Sequence, residues 1–196
     1  MKLLIAADIF GETPELHSIA KALCGNYVVV SPYENSQRHF SSENHAYTAF
    51  HSGGGIRSYV EKLASEIDSH KPDALVGFSV GATAGWVVLS AHNNHEIQLG
   101  ILFYGSRIRD HLHLRPRCTT KLFFAEHERF FEARQLTTTL RESGLSAEIC
   151  TGCQHGFMNQ LSTGYDSSAE KMGIELIKSA LHGLTKTPDI HSISRP

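Results

Sequence analysis

Apolar residues in this chain alternate between two patterns. Short runs dominated by apolar side chains stand at residues 2–7, 27–31, 74–78, 97–104, 121–125 and 146–150, and between them apolar residues recur every three or four positions. Runs of that length without a polar face fit strands covered on both sides, and the wider spacing fits helices lying on such a sheet. Thr13, Pro14 and Glu15 supply a capping hydroxyl, a proline for the first turn and an early acid, so a helix is expected from there to about Cys24. Ile56, Val60, Leu63, Ala64 and Ile67 mark another, ended by Pro72. A third follows residue 81 with no breaker before Asn93, a fourth carries Ala133, Leu136 and Leu140 up to Gly144, and a fifth carries Ala169, Met172, Ile177, Ala180 and Leu181 up to Gly183. Strand and helix in such regular turn imply an α/β fold: a mostly parallel six-stranded sheet with helices on both faces and sites at the carboxyl ends of the strands.

Residues 33–55 break the pattern. They are polar, rich in Ser, His and Asn, and longer than a routine connection, and they read as a loop with one short helix bordering a functional site. Residues 184–196 show no period and read as a tail, leaving 1–183 as a single domain. Composition narrows the function classes. With 41% hydrophobic and 19% charged residues in 196, the chain has material for one sizeable core. A net charge of -2 without a run of Lys or Arg disfavours nucleic acid or an anionic membrane as partner. The first apolar run, Leu3 to Ala7, is interrupted by Asp8 and falls short of the roughly 7–15 residues of a signal-peptide core, and no later segment approaches the roughly 20 apolar residues of a membrane helix. Cys24, Cys118, Cys150 and Cys153 are scattered through a chain that needs no staples, so reduced thiols in a cytoplasm are expected, with Cys150 and Cys153 at the end of a late strand rather than opening a helix. Oligomeric state is left open.

The chemistry gathers around Gly77-Phe78-Ser79-Val80-Gly81. A serine flanked two positions away on each side by glycine, between a buried strand and a helix, is the pattern of a nucleophile elbow. The turn is so sharp that side chains at the two glycines would collide, and it presents the Ser79 hydroxyl beside a helix start whose free N–H groups can hold an oxyanion. A serine nucleophile needs a base and an acid to orient it. His155 lies just past the last strand, and Glu126 and Glu128 both follow the strand before it. The order serine, acid, histidine is that of the α/β-hydrolases. Composition alone leaves the choice of glutamate open.

Four segments together resemble the dienelactone hydrolase family of α/β-hydrolases. They are Ala7-Asp8-Ile9-Phe10-Gly11, the Ser79 elbow, Phe103-Tyr104-Gly105, and His155-Gly156-Phe157 followed by Gly164-Tyr165, spread over nearly the whole chain. The resemblance implies a sheet ordered 2-1-3-4-5-6, whose first strand carries the oxyanion loop. It favours Glu128 as the acid, and it implies a serine hydrolase of small esters, lactones or thioesters that needs no metal or organic cofactor. The backbone N–H of Val80 and of Ile9 or Phe10 would form the oxyanion hole. Three departures qualify the match: the namesake enzymes carry cysteine where this chain has Ser79, usually aspartate where it has Glu128, and a substrate-binding arginine where it has Asn159. Substrate contacts are therefore sought at Asp8, Tyr104, Asn159 and Arg107. For Arg107, as for Arg109, ordinary surface arginine is the commoner reading. Asp8 is either a buried acid bonded into the resting site or a carboxylate at a helix approach.

Two rival classes remain. One is an inactive binding or regulatory protein that keeps the elbow for structural reasons. The other is a metal protein using His111, His113 and Cys118, whose spacing fits no standard site.

Overall fold

The computed structural model describes residues 1–34, 39–91 and 97–184. Six strands, β1 (Leu3–Ala6), β2 (Tyr27–Val30), β3 (Ala74–Phe78), β4 (Leu99–Phe103), β5 (Thr119–His127) and β6 (Ser146–Gln154), form one sheet in the order β2-β1-β3-β4-β5-β6. Every pairing is parallel. The helices are α1 (Pro14–Leu23), α2 (Glu43–Ser52), α3 (Gly55–His70), α4 (Val80–Ser90), α5 (Ala133–Glu142) and α6 (Ser167–Leu184), with a 3-10 turn at Ser106–His111.

Alternation along the strands divides the core in two. Leu3 and Ile5 of β1, Ala74, Val76 and Phe78 of β3, and Leu99, Ile101 and Phe103 of β4 face a layer that includes Ala20 of α1 and Ile177, Ala180 and Leu181 of α6. Leu4, Leu75, Leu102, Leu122 and Phe124 face the opposite layer, with Leu63 of α3, Trp86 of α4 and Leu136 and Leu140 of α5. The central strands β1, β3 and β4 are buried along their whole length, which is why their sequences show no polar face. The start of α1 follows its sequence: the Thr13 hydroxyl accepts from the Leu16 N–H at 3.2 Å, and proline stands in the first turn.

Three elements differ from expectation. Residues 33–55 hold a full ten-residue helix, α2, capped by Ser42, and α3 begins at Gly55. Only Ala46 and Phe50 of α2 are buried, too few to impose a period on a polar sequence. Strand β6 runs four residues past Cys150, so Cys150 and Cys153 lie inside it, both buried. A register irregularity between Ala125 and His127 lets that pairing continue. Helix α6 passes through Gly183 to Leu184. The tail expected from residue 184 otherwise lies outside the described residues, as does the stretch around Asn93, beyond the end of α4 at Ser90.

Candidate active site

A parallel sheet puts all its carboxyl ends on one edge, and the candidate side chains stand one residue beyond them. Ser79 follows the end of β3, Tyr104 that of β4, Glu128 that of β5 and His155 that of β6. Two hydrogen bonds extend the ladder into this edge, from Ser79 N–H to the Phe103 carbonyl at 3.0 Å and from Tyr104 N–H to the Phe123 carbonyl at 2.7 Å.

The elbow has the strain its motif implies. Ser79 sits at φ 51, ψ -112, a region L-residues rarely adopt. A Cβ at Gly77 would stand 2.8 Å from Ala82 Cα and from the Gly81 carbonyl oxygen, and one at Gly81 would overlap the carbonyl oxygens of Ala6 and Ala7. The two glycines are thus required by close approach, the second bringing α4 against the end of β1.

Ser79 Oγ lies 2.9 Å from His155 Nε2, and His155 Nδ1 lies 3.0 Å from both carboxylate oxygens of Glu128. The Glu128 side chain is only 4% exposed, against 28% for His155, so the imidazole tip meets solvent while its carboxylate partner does not. Glu126 turns elsewhere: Gly152 N–H donates to its Oε2 at 2.8 Å and Arg134 pairs with its Oε1. Those two contacts, the backbone one foremost, hold its carboxyl below the usual range. The Tyr104 ring packs edge-on against His155 with centroids 5.3 Å apart and against Phe157 at 5.1 Å. Burial, with the charge of Asp8 adding to it, pushes its hydroxyl well above the ordinary tyrosine value.

The loop after β1 closes the other side. Asp8 is buried; its Oδ1 accepts from Phe10 N–H at 2.8 Å and its Oδ2 from the Asn159 carboxamide. Burial raises its carboxyl above the ordinary aspartate value, against the opposing effect of those donors and of nearby His155. Phe10 N–H is therefore engaged by Asp8. Among the described residues no acceptor faces the N–H of Ile9 or of Val80, the latter in the first turn of α4 where no helical partner exists. Asn159 is occupied at both ends, its Oδ1 accepting from Leu161 N–H at 2.8 Å.

Arg107 lies apart from this cluster. It pairs with Asp110 at 3.0 Å and lines a groove with His51, Arg57 and His111. Arg109 sits over the Phe131 ring, 5.2 Å from its centroid. The His111 and His113 rings are 6.2 Å apart, while the Cys118 thiol is turned to Thr120.

Two tyrosines that the sequence reading passed over hold the Asp8 loop. The Tyr59 hydroxyl donates to the carbonyls of Ala7 at 3.0 Å and Val30 at 2.7 Å, and the Tyr33 hydroxyl to those of Ile9 at 2.6 Å and Ala46 at 3.1 Å. Tyr59 stands one turn before Leu63 in the apolar stripe of α3, so its place in the core was legible and its hydroxyl's target was not. A small cavity opens between this loop, α1 and the histidine loop, lined by Asp8, Glu15, Leu16, Phe78, Tyr104 and Asn159 among others.

Known proteins resemble this chain in sequence and in fold. The sequence model described as "Dienelactone hydrolase family" matches residues 3–184. The uncharacterised protein YczH of Bacillus subtilis (strain 168) is 27% identical over 193 residues, covering 94% of each chain. A Klebsiella pneumoniae protein named as a candidate dienelactone hydrolase shares the fold with a TM-score of 0.69 at 14% identity, over 92% of this chain and 86% of that one. The metagenomic dienelactone hydrolase-like promiscuous phosphotriesterase P91 does so at 0.64 and 11%, over 91% and 86%. Esterase 2 of Thermogutta terrifontis follows at 0.55 and 12%, over 96% and 85%.

Proposed function

The chain belongs to the dienelactone hydrolase family, and from that premise we propose that it is a carboxylic ester hydrolase working through an acyl-enzyme on Ser79. The observation that supports this reading is the unbroken line of hydrogen bonds from Ser79 Oγ through His155 to Glu128. In the first half-reaction Ser79 Oγ bonds to the carbonyl carbon of a small ester, lactone or thioester while its proton passes to His155 Nε2. The carbonyl electron pair moves to oxygen, where the Val80 and Ile9 N–H groups receive it. Phe10 N–H is left to hold Asp8. Collapse expels the alkoxide or thiolate, which leaves with the proton from Nε2, and water then repeats the sequence to release the acid. Glu128 stays ionised throughout, fixing the imidazole tautomer and stabilising the imidazolium. Loss of one oxyanion donor typically costs about 10²–10³ in rate.

None of these steps calls on a metal or organic cofactor. The free thiols and the absence of a helix long and apolar enough to cross a membrane, among the described residues, fit our placing of the enzyme in a cytoplasm acting on small molecules. Labelling with a fluorophosphonate, followed by hydrolysis of a panel of p-nitrophenyl esters, lactones and acyl thioesters, tests the proposal. Label on Ser79 that vanishes in Ser79→Ala, together with turnover of at least one substrate class, is expected. Intact, folded, unlabelled protein would return the chain to the rival class of inactive scaffold.

A further inference from the structure

Asn159 sits in the loop that carries His155, and each of its polar atoms has a partner. Its N–H donates to the Gly156 carbonyl at 2.8 Å, its carbonyl accepts from Ser162 N–H at 2.9 Å, its Oδ1 accepts from Leu161 N–H at 2.8 Å, and its carboxamide N–H donates to Asp8 Oδ2 in the loop after β1. On the far side of that last bond the chain is pinned peptide by peptide. The Ala7 carbonyl accepts from the Tyr59 hydroxyl, the Asp8 carbonyl from Gly11 N–H at 3.1 Å and the Ile9 carbonyl from the Tyr33 hydroxyl, while Phe10 N–H donates to Asp8 Oδ1. Ile9 N–H is the group this scheme leaves over for the oxyanion. Asp8 thus has two tasks: one oxygen folds the turn that presents Ile9 N–H, and the other ties that turn to the loop of the base. Between Leu161 and Asp8 only an amide fits among side chains of this length, because one end must accept and the other donate; a carboxylate accepts at both ends.

Resting on the hydrolase reading, we propose that Asn159 is a positioning residue: through Asp8 it locks the turn that offers Ile9 N–H to the loop that offers His155, so that both are aimed at one reacting carbonyl. Asn159 and Asp8 then act on the reaction without touching substrate. A carboxylate at position 159 would cut the Asp8 bond selectively, since it can still accept from Leu161 N–H. It would also set two carboxyl groups face to face, tolerable while they share a proton and repulsive once both ionise. The other charged or titratable groups around the bond are His155, Glu43 and the Tyr59 and Tyr104 hydroxyls, with Glu15 lining the adjoining cavity. Attraction of an added carboxylate for the His155 imidazolium would slow the variant most at acid pH, the opposite sense to the carboxyl pair.

Inactivation by a small neutral fluorophosphonate between pH 5 and 8 reads the effect on Ser79 itself, the phosphonyl oxygen standing where the oxyanion would, and saturation kinetics separate kinact from KI. At pH 8 Asn159→Asp should lower kinact about tenfold, less than the 10²–10³ of a lost donor because Ile9 N–H is misaimed rather than removed, with KI within about threefold. Its rate relative to wild type should recover by about fivefold or more as the pH falls to 5 and the carboxyl pair takes up a proton. Asn159→Ala should show a similar loss with no pH dependence relative to wild type. Exchanging the pair, Asp8→Asn with Asn159→Asp, keeps every hydrogen bond with donor and acceptor reversed, and should restore most of kinact at pH 8. The two single variants of Asn159, checked for folding by circular dichroism, decide the matter if the exchange variant does not fold. Wild-type kinact in Asn159→Asp at pH 8, a pH-independent ratio, or a loss that lies in KI would overturn the positioning role while leaving Ser79 a nucleophile. Failure of wild type to label at Ser79 would instead remove the hydrolase reading, and the positioning role with it.

Discussion

Glu126 and Glu128 stand two residues apart, a spacing that in a regular strand would point both side chains to one face. The irregularity between Ala125 and His127 separates them, sending Glu126 to the β6 backbone and leaving Glu128 beyond the strand end, under His155. A register shift leaves no mark in a sequence, which is why residue types alone could not choose. Glu128→Gln should lower kcat by about 10³–10⁴ with the fold intact, by analogy with the loss of a triad carboxylate, whereas Glu126→Gln should leave kcat within about threefold; steady-state kinetics on the two folded variants rank them. Asp8 yields a prediction about stability. Its carboxyl is raised in the folded protein, so between the ordinary value of 3.8 and the raised one the native state holds more protons than the unfolded state. Its contribution to stability must therefore fall as pH rises through that window. The melting temperature of wild type minus that of Asp8→Asn should decrease from below pH 3.8 toward neutrality; a difference that grew with pH would contradict the burial argument.

Among the elements, the strand ends were legible and their supports were not. Ser79 and His155 could be placed because an apolar run ends just before each, and the elbow glycines announce their own steric reason. Helix α2 hid because two buried side chains in ten leave a helix looking like a loop. The bracing of the Asp8 loop hid because a hydroxyl's partner far along the chain has no periodic signature. Tyr59→Phe leaves the buried Ala7 carbonyl without that donor and should cost about 1–2 kcal/mol in stability. It should also lower kcat more than it raises KM, because the loop carrying the Ile9 N–H loosens; chemical denaturation and kinetics on the same preparation separate the two effects. Gly81→Ala, whose Cβ would overlap two backbone carbonyls that cannot swing aside, should cost roughly 3 kcal/mol or more or prevent folding.

Across the whole molecule the sequence conveyed the layer plan, because a doubly covered parallel sheet needs apolar strands and helices in alternation, and strand order followed from the family resemblance. It ended the last strand at Cys150, four residues short, since nothing in residues 151–154 marks the continuation of an edge strand. Burial pushes the Cys150 thiol up to about 12 and raises that of Cys153, so neither presents an appreciable thiolate near neutrality. Iodoacetamide at pH 7.5 should leave both unmodified and activity largely intact in the folded protein, and alkylate both in denaturant; mass spectrometry of the β6 peptide reports the result.

The strand order divides the proposed catalytic groups unequally. Ser79 rides on an interior strand, while His155 rides on β6, which has a neighbour on one side only, with β4 and β5 standing between the two. Edge strands open first when a sheet loosens. The chain's single tryptophan, Trp86, lies fully buried on α4 directly behind the elbow, its indole N–H donating to the His111 carbonyl at 3.1 Å. Its fluorescence therefore watches the nucleophile's half of the molecule, and turnover watches both halves. In a urea titration turnover should disappear at lower denaturant than the tryptophan signal shifts, the base swinging out of reach while the serine is still held. Superimposed curves would mean that edge and interior come apart together.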